Sequence, residues 1–290
     1  MTYAITHRTV YEYSAPVTVS HHAARLQPRE DPSQSCLEFS LRIQPEPVLC
    51  STRADYFGNA VCSFSIEEIH SRLEISATSV VRVESAGAPA LGLSSPWESV
   101  ARLFRETAPT EFLEAYQFIF DSPQVRSSRE LAEFARASFP PGQPLLVGVL
   151  DLNHRIHTAF HYDNEATTIS TPLEEVFEQR RGVCQDFAHI ALASLRSLGL
   201  PARYVSGYLR TQPPEGKVRL IGTDASHAWF SVFSPGFGWV GFDPTNDLMA
   251  EDEHIALAFG RDFADVSPVS GMIVGGGEHK VIVGVDVSAI

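Results

Sequence analysis

Three short segments carry the residue types that nucleophilic acyl transfer needs: a thiol, an imidazole and a carboxylate. Cys184 stands in Arg180-Arg181-Gly182-Val183-Cys184-Gln185-Asp186-Phe187-Ala188-His189, His227 in Ala225-Ser226-His227-Ala228-Trp229, and Asp243 in Gly241-Phe242-Asp243-Pro244-Thr245-Asn246. Cys184 opens the clearest helix in the chain. Phe187, Ala191, Leu195 and Leu198 keep i, i+4, i+8, i+11 spacing, and Ala188 and Leu192 widen the apolar stripe. Gly199 supplies a left-handed stop and Pro201 prevents continuation. The start of a helix carries unpaired N–H groups and roughly +0.5 of a charge, which favours a thiolate and can receive an oxyanion. The bland alternative for Cys184 is a packed, inert thiol.

His227 falls in a strand expected over Ser226 to Phe233, and the next strand begins near Trp239. Ser234-Pro235-Gly236-Phe237-Gly238 lies between them and reads as the turn of an antiparallel hairpin. A turn centred on Pro235 sets Asp243 directly opposite His227. A centre on Gly236 makes it a diagonal neighbour. In both registers the two share a face, with Cβ atoms ~5–8 Å apart; only a half-residue shift of the centre separates them. A carboxylate beside the imidazole would orient the ring and stabilise its charged form. Alone, His227 reads as a hydrogen-bonded structural residue, and Asp243 as a turn former before Pro244.

The elements that position these residues fall into two regions. Residues 1 to about 85 read as all-β: Thr2 to Tyr13 is rich in Tyr, Ile, Thr and Val, and Leu37, Phe39, Leu41 and Ile43 alternate with polar residues. Phe57-Gly58-Asn59-Ala60 marks a turn, and Val61 to Ile66 and Leu73 to Val83 are further strands. This spacing predicts an antiparallel β-sandwich over residues 1–90. Residues 86–97, rich in Gly, Pro and Ser, read as a linker. From 98 the period becomes helical. Helices are expected around Val100 to Phe104, around Leu131 to Ala135 with Ser127 or Ser128 as N-cap, and over Leu150 to Phe160. A short one follows Pro172, with Thr171 as N-cap and Glu174 as its capping-box partner. Strands Ala202 to Leu209, Ser226 to Phe233, Trp239 to Phe242 and a tail strand Val281 to Val287 complete a second domain over 98–290 with a C-terminal β extension.

Bulk properties narrow the function classes. With 44% hydrophobic and 20% charged residues, the chain can bury full cores, so disorder is not a serious reading. The net charge of −13 disfavours nucleic acid and anionic membranes as partners. No apolar run approaches the ~18 residues of a membrane span. The start, Met-Thr-Tyr-Ala-Ile-Thr-His-Arg, lacks the layout of a signal peptide, and a cytoplasmic location is the expectation. The remaining cysteines, Cys36, Cys50 and Cys62, lie in strand-like stretches outside any C-x-x-C pair. They read as small buried hydrophobes rather than disulfides or zinc ligands.

At its three reactive segments the sequence resembles the transglutaminase-like superfamily, a papain-type fold with Cys–His–Asp order. Gly182 to His189 resembles the family's nucleophile segment and Leu198 to Tyr208 the stretch after it. Ser226 to Trp229 and Gly238 to Asn246 resemble the His and Asp segments. Tyr11-Glu12-Tyr13, Leu26-Gln27-Pro28-Arg29 and Asp55-Tyr56-Phe57-Gly58-Asn59 are similar to the β-domain that precedes the core in bacterial members. Gly260 to Pro268 is similar to their C-terminal segment. The resemblance implies an α+β chain, a β-sandwich followed by a papain-like core, with Cys184 as nucleophile, His227 as base and Asp243 as orienter.

The expected activity is thioester chemistry on a peptide or protein amide substrate, hydrolytic in preference to transamidating, with no cofactor and no metal. Gln185 would point away from the nucleophile on its helix, and Tyr162, Trp229 and Tyr208 are candidates for the second oxyanion donor, with no residue pattern to choose among them. Two other classes compete. His154, His157 and His161 share a helix face with Asp163 nearby, a spacing that can bind zinc, but the glutamate of an H-E-x-x-H motif is missing. A catalytically silent binding protein on the same fold is the other.

Overall fold

Strand β1 (Thr2–Ala24) runs for 23 residues and organises the N-terminal half of the molecule. The computed structural model describes residues 1–84, 87, 89–106, 110–210 and 226–290. The first half of β1 pairs antiparallel with β5 (His70–Val83), Tyr3 opposite Val81, and its second half with β4 (Ala60–Ile66), Ser20 opposite Ile66. The register breaks between Glu12 and Val17, where Pro16 has no N–H to give a ladder. β2 (Gln34–Gln44) extends the sheet beyond β5, and β3 (Leu49–Ala54) extends it beyond β4.

The two halves of this one sheet curl over a shared core in which Ile43, Leu73 and Ile75 meet Val17, Phe64 and Ile66. The expected sandwich is therefore a single antiparallel sheet folded on itself. Cys62 is buried within it and Cys36 is half-buried. Cys50 departs from the expected burial: it lies on β3, an edge strand whose six residues are all exposed. Ala86 and Ala88 of the expected linker lie outside the described residues.

The helical region comprises α1 (Trp97–Glu106), the short α2 (Leu113–Tyr116), α3 (Arg129–Arg136), α4 (Leu145–Ala159), α5 (Leu173–Gln179) and α6 (Cys184–Ser197). Ser128 caps α3, its Oγ accepting from the Leu131 N–H at 3.1 Å. α4 begins five residues earlier than its polar face announces, because Leu145, Leu146 and Val149 are buried and show no amphipathic edge. Pro172 precedes α5, and Thr171, the expected cap, accepts instead from the Thr168 N–H at 2.9 Å. Two short parallel strands, β6 (His161–Tyr162) and β7 (Arg181–Gly182), bring the end of α4 beside the start of α6.

The second sheet is antiparallel. It contains β8 (Ala202–Leu209), β9 (His227–Ser234), β10 (Gly238–Asp243), β11 (Leu248–Met249) and β12 (His254–Gly260), ordered β11-β10-β9-β8-β12. Helix α6 lays Phe187, Ala191 and Leu195 into the core that also holds Ala202, Tyr204, Phe230 and Val232 of β8 and β9. This contact puts the first turn of α6 beside the start of β9.

After the short α7 (Phe263–Val266), the chain returns to the first sheet. β13 (Val269–Gly275) pairs with the second half of β1, and β14 (His279–Ala289) pairs with its first half. The segment read as a C-terminal β extension is thus hydrogen-bonded to the N-terminal sheet, making it seven-stranded. No helix among the described residues is long and apolar enough to cross a membrane.

Candidate active site

Cys184 is the first residue of α6, with Val183 extended before it. The helix start is secured by Asp186, whose Oδ2 accepts from the Val183 N–H at 2.8 Å and from the Thr167 hydroxyl at 2.6 Å. A carboxylate in the first turn satisfies an orphan donor and faces the positive end of the helix. Burial pushes the Asp186 carboxyl up, while the Thr167 and Val183 donors pull the other way. The glycine before this turn has a steric reason: a Cβ on Gly182 would stand 2.5 Å from Asp186 Oδ2 and 2.8 Å from its Cβ. The β6–β7 pairing sets Tyr162 opposite Gly182. Burial, and then the nearby Cys184, push the Tyr162 phenol up to about 12, so it stays protonated at neutral pH.

His227 opens β9 and Asp243 closes β10. Their hairpin pairs Trp239 with Phe233 and Phe242 with Phe230, which centres the turn on Gly236. This is the diagonal register, and it places His227 Nε2 2.9 Å from Asp243 Oδ2, with both side chains fully buried. The other carboxylate oxygen, Oδ1, accepts the N–H groups of Thr245 at 3.0 Å and Asn246 at 3.3 Å. Asn246 Nδ2 adds a bond to Oδ2 at 2.8 Å. Asp243 therefore sits in the turn and against the histidine at once: Oδ1 takes the backbone N–H groups of the turn, and Oδ2 takes His227 together with the Asn246 amide.

The loop after Asp243 rests on α4. The His157 Nδ1–H donates to Thr245 O at 3.0 Å, His154 Nδ1 lies 2.7 Å from Asp247 Oδ2, and Asn153 Nδ2 donates to Asp243 O at 3.3 Å. The Asp247 hydrogen bond and charge raise the His154 pKa. The histidine face weighed as a zinc site is thus occupied with positioning this loop, and His161 stands exposed on β6. Among the described residues, ligating atoms converge at His227, Asp243 and His254, within 4.8 Å of one another. Those atoms already hydrogen-bond through Asp243 Oδ2, which His254 Nε2 reaches at 3.2 Å. An ion there would have to displace the protons between them.

Burial opposes a charged imidazole at His227, but the Asp243 carboxylate and Cys184 outweigh it and raise the ring to about 10. Burial would likewise raise Asp243, yet His227 and His254 hold it far below the usual carboxylate range. With Nε2 committed to Asp243, His227 Nδ1 has no hydrogen bond of ordinary geometry to a described group. It is the ring's remaining site, and Cys184 is the other side chain that polarises the ring. Trp229 stacks on His227 with ring centroids 6.0 Å apart and meets His254 edge-on at 5.1 Å. Gly207 makes room for that indole, since a Cβ there would lie 2.4 Å from Trp229. Beside the start of α6 lies a cavity of about 320 Å³ lined by Arg126, Thr171, Glu174, Gln185, Asp186 and His189.

Residues 3–82 match the family described as the bacterial transglutaminase-like N-terminal region, and residues 139–244 match the transglutaminase-like superfamily. An uncharacterized protein of Mycobacterium tuberculosis is 42% identical over 98% of this chain and 92% of its own. The chain belongs to the transglutaminase-like superfamily. The crystal structure of a candidate cysteine protease from Cytophaga hutchinsonii shares the fold of this superfamily member with a TM-score of 0.73. It is 23% identical, and the likeness covers 99% of this chain and 90% of that one. A protein-glutamine gamma-glutamyltransferase of Pseudomonas aeruginosa is 30% identical over 43% of this chain and 19% of its own length.

The structure brings Cys184, His227 and Asp243 of this transglutaminase-like core together. Of the three oxyanion candidates, Tyr162 is the one paired with Gly182, two residues before Cys184, and its phenol is raised partly by Cys184. Tyr208 is spent on a 2.9 Å hydrogen bond to His7 Nδ1 of β1, and Trp229 packs over the imidazoles. Ala225 of the histidine segment lies outside the described residues. Sequence reasoning missed His254. It follows Glu251-Asp252-Glu253, which reads as a solvated run, and it lies beyond the superfamily match that ends at 244.

Proposed function

We propose that the chain is a cysteine-dependent hydrolase of amide or peptide bonds that works through a thioester on Cys184. The observation that carries this reading is the buried 2.9 Å pairing of His227 Nε2 with Asp243, which leaves Nδ1 as the ring's free site for the thiol at the head of α6. In the first step the Cys184 sulfur attacks the substrate carbonyl carbon and the C=O electron pair moves onto oxygen. The helix N–H groups and the Tyr162 hydroxyl receive that oxyanion. As the C–N bond breaks, His227 gives its Nδ1 proton to the leaving amine. In the second step His227 takes a proton from water, whose oxygen attacks the thioester and releases the acid and the thiol. Asp243 keeps the ring oriented and stabilises its charged form throughout.

Transamidation differs only in the group that resolves the thioester, an amine in place of water. The gamma-glutamyltransferase relative, similar over 43% of this chain, keeps that second reading in play. One experiment separates them: glutaminyl peptides are incubated with the protein and a tagged primary amine, and products are read by mass spectrometry. Free acid that depends on Cys184 is the expected product. Predominant amine incorporation would replace hydrolysis with transfer. A protein that forms no thioester with any amide probe, and whose Cys184 alkylates no faster than Cys36, is the silent binding protein.

A further inference from the structure

β12 is an edge strand: β8 pairs with one side of it and no strand pairs with the other among the described residues. Two side-chain amides from the N-terminal half fill that outer edge. Gln34 Oε1 accepts from the Ala256 N–H at 2.8 Å, and Gln34 Nε2 donates to Ala256 O at 2.9 Å. Asn59 treats Phe259 the same way, its Oδ1 accepting at 2.8 Å and its Nδ2 donating at 2.9 Å. A primary amide that both gives and takes a hydrogen bond with one residue reproduces what a neighbouring strand would supply. Both amides are buried. The Arg29 N–H also donates to Ala256 O at 3.0 Å, and the Arg29 guanidinium lies 4.4 Å over the Phe259 ring. The Tyr3 hydroxyl donates to Asp252 O at 2.8 Å, just ahead of the strand. Tyr3 and Ile5 of β1 share an apolar cluster with Ile255 and Leu257 of β12.

The first residue of this clamped strand is His254. Its imidazole is buried, edged by Trp229, and places Nε2 3.2 Å from the carboxylate oxygen that also holds His227. Asp243 Oδ2 therefore receives two imidazoles, one from β9 and one from β12. Oδ2 also takes the Asn246 amide at 2.8 Å, so three donors share that oxygen, and His254 is the one that comes from outside the His227–Asp243 hairpin and its following loop. Without the His254 donor, Oδ2 loses its brace from that side and the carboxylate's hold on His227 is set by the hairpin and its loop alone.

We propose that His254 is a positioning residue for Asp243, and that the N-terminal sheet holds it in place through β12. The inference rests on the Cys184–His227–Asp243 reading above. It gives the N-terminal half a role at the site without its touching substrate.

The test is the rate of Cys184 alkylation by iodoacetamide across pH, resolved by peptide mass spectrometry, in the full chain. His254→Phe keeps a ring but loses the donor. It should slow alkylation at neutral pH by roughly tenfold or more, the effect of losing one hydrogen bond to a buried charge, and should pull the alkaline limb of the profile to lower pH. His254→Gln, which can still offer an N–H, should stay within about threefold of wild type. His227→Ala and Asp243→Asn calibrate the assay. If they alter the profile and His254→Phe does not, the positioning role is wrong and the catalytic reading survives. If none of the three alters it, the catalytic reading itself falls, and the inference with it. Should His254→Phe fail to fold, Gln34→Met stands in, since it opens the clamp without touching the site. The same slowing is expected, and a wild-type profile in folded Gln34→Met overturns the proposal.

Discussion

His227 and Asp243 meet diagonally across a hairpin, imidazole Nε2 to carboxylate Oδ2 at 2.9 Å, while Oδ1 of the same carboxylate is tied to its own following loop. One aspartate is thereby fixed by local backbone through Oδ1 and presents Oδ2, shared with Asn246 and His254, to a histidine sixteen residues away in sequence. Because both groups are out of water, their attraction is not screened as a surface pair would be. The charged form of His227 is the favoured one.

This makes His227 the most informative group to titrate. Nitrogen NMR of the imidazoles should show one ring that stays protonated until about pH 10, far above the ordinary 6.5. Asp243→Asn should bring that transition down the most and Cys184→Ala by less, following the order of their influence on the ring. A His227 ring that titrates near 6.5 in the wild-type protein would break the account.

The same shift sets the shape of stability against pH. A raised folded pKa stabilises fully below the unfolded value of 6.5 and fades as pH rises towards 10, because there the folded state holds a proton that the unfolded chain has released. Asp243, depressed, contributes above its unfolded value and is lost on acidification. Three other histidines act on the acid side. Burial lowers His7, His22 and His189 to about 4, so between pH 6.5 and 4 the unfolded chain binds protons that the fold refuses. Urea midpoints should therefore fall on both sides of neutrality. His22→Phe, beside the stacked Phe64, should flatten the acid limb, and His227→Gln the alkaline one. Unchanged limbs in these variants would disprove the assignment.

How much of this was readable from one dimension follows from the range of the interactions. α6 was legible because its apolar period and its Gly199 stop are local. The hairpin was legible because a five-residue turn allows few centres, and both integer registers put His227 and Asp243 on one face. The pairing of β13 and β14 with β1 was not, since it joins chain ends more than 240 residues apart with no signal in either segment. His254 failed for the same reason. Its partner is chosen by where β12 docks, and that is decided by Gln34 and Asn59, two residues that look like ordinary turn polar groups.

Gly182 offers a stability test that bears on Cys184. Its missing Cβ is what allows Asp186 to fold back on the Val183 N–H. Gly182→Ala should push Asp186 aside and uncap α6, costing about 1–2 kcal/mol by the usual value of an N-cap. Cys184, one residue inside the cap, should alkylate more slowly in the same variant. Chemical denaturation and thiol labelling together check this. A variant with wild-type stability would mean that the helix start does not need the Asp186 bond.

On the proposed thioester route, Tyr162 is the residue whose substitution separates oxyanion stabilisation from thiol activation. Its phenol remains protonated because burial, and then Cys184, push it up to about 12, so it can donate at any pH where the chain is folded and active. It is on β6, held against β7 by the Asp163 N–H to Gly182 O bond at 2.9 Å, opposite Gly182 and so two residues from the level of Cys184. Tyr162→Phe removes the hydroxyl and little else. It should leave the iodoacetamide reaction of Cys184 near wild type, because alkylation generates no oxyanion. It should lower kcat on an amide substrate by roughly 10²-fold, the usual cost of one preorganised donor, with KM little changed. Equal losses in alkylation and turnover would instead make Tyr162 a support for the thiol, and no loss in either would move the second donor to the backbone of α6.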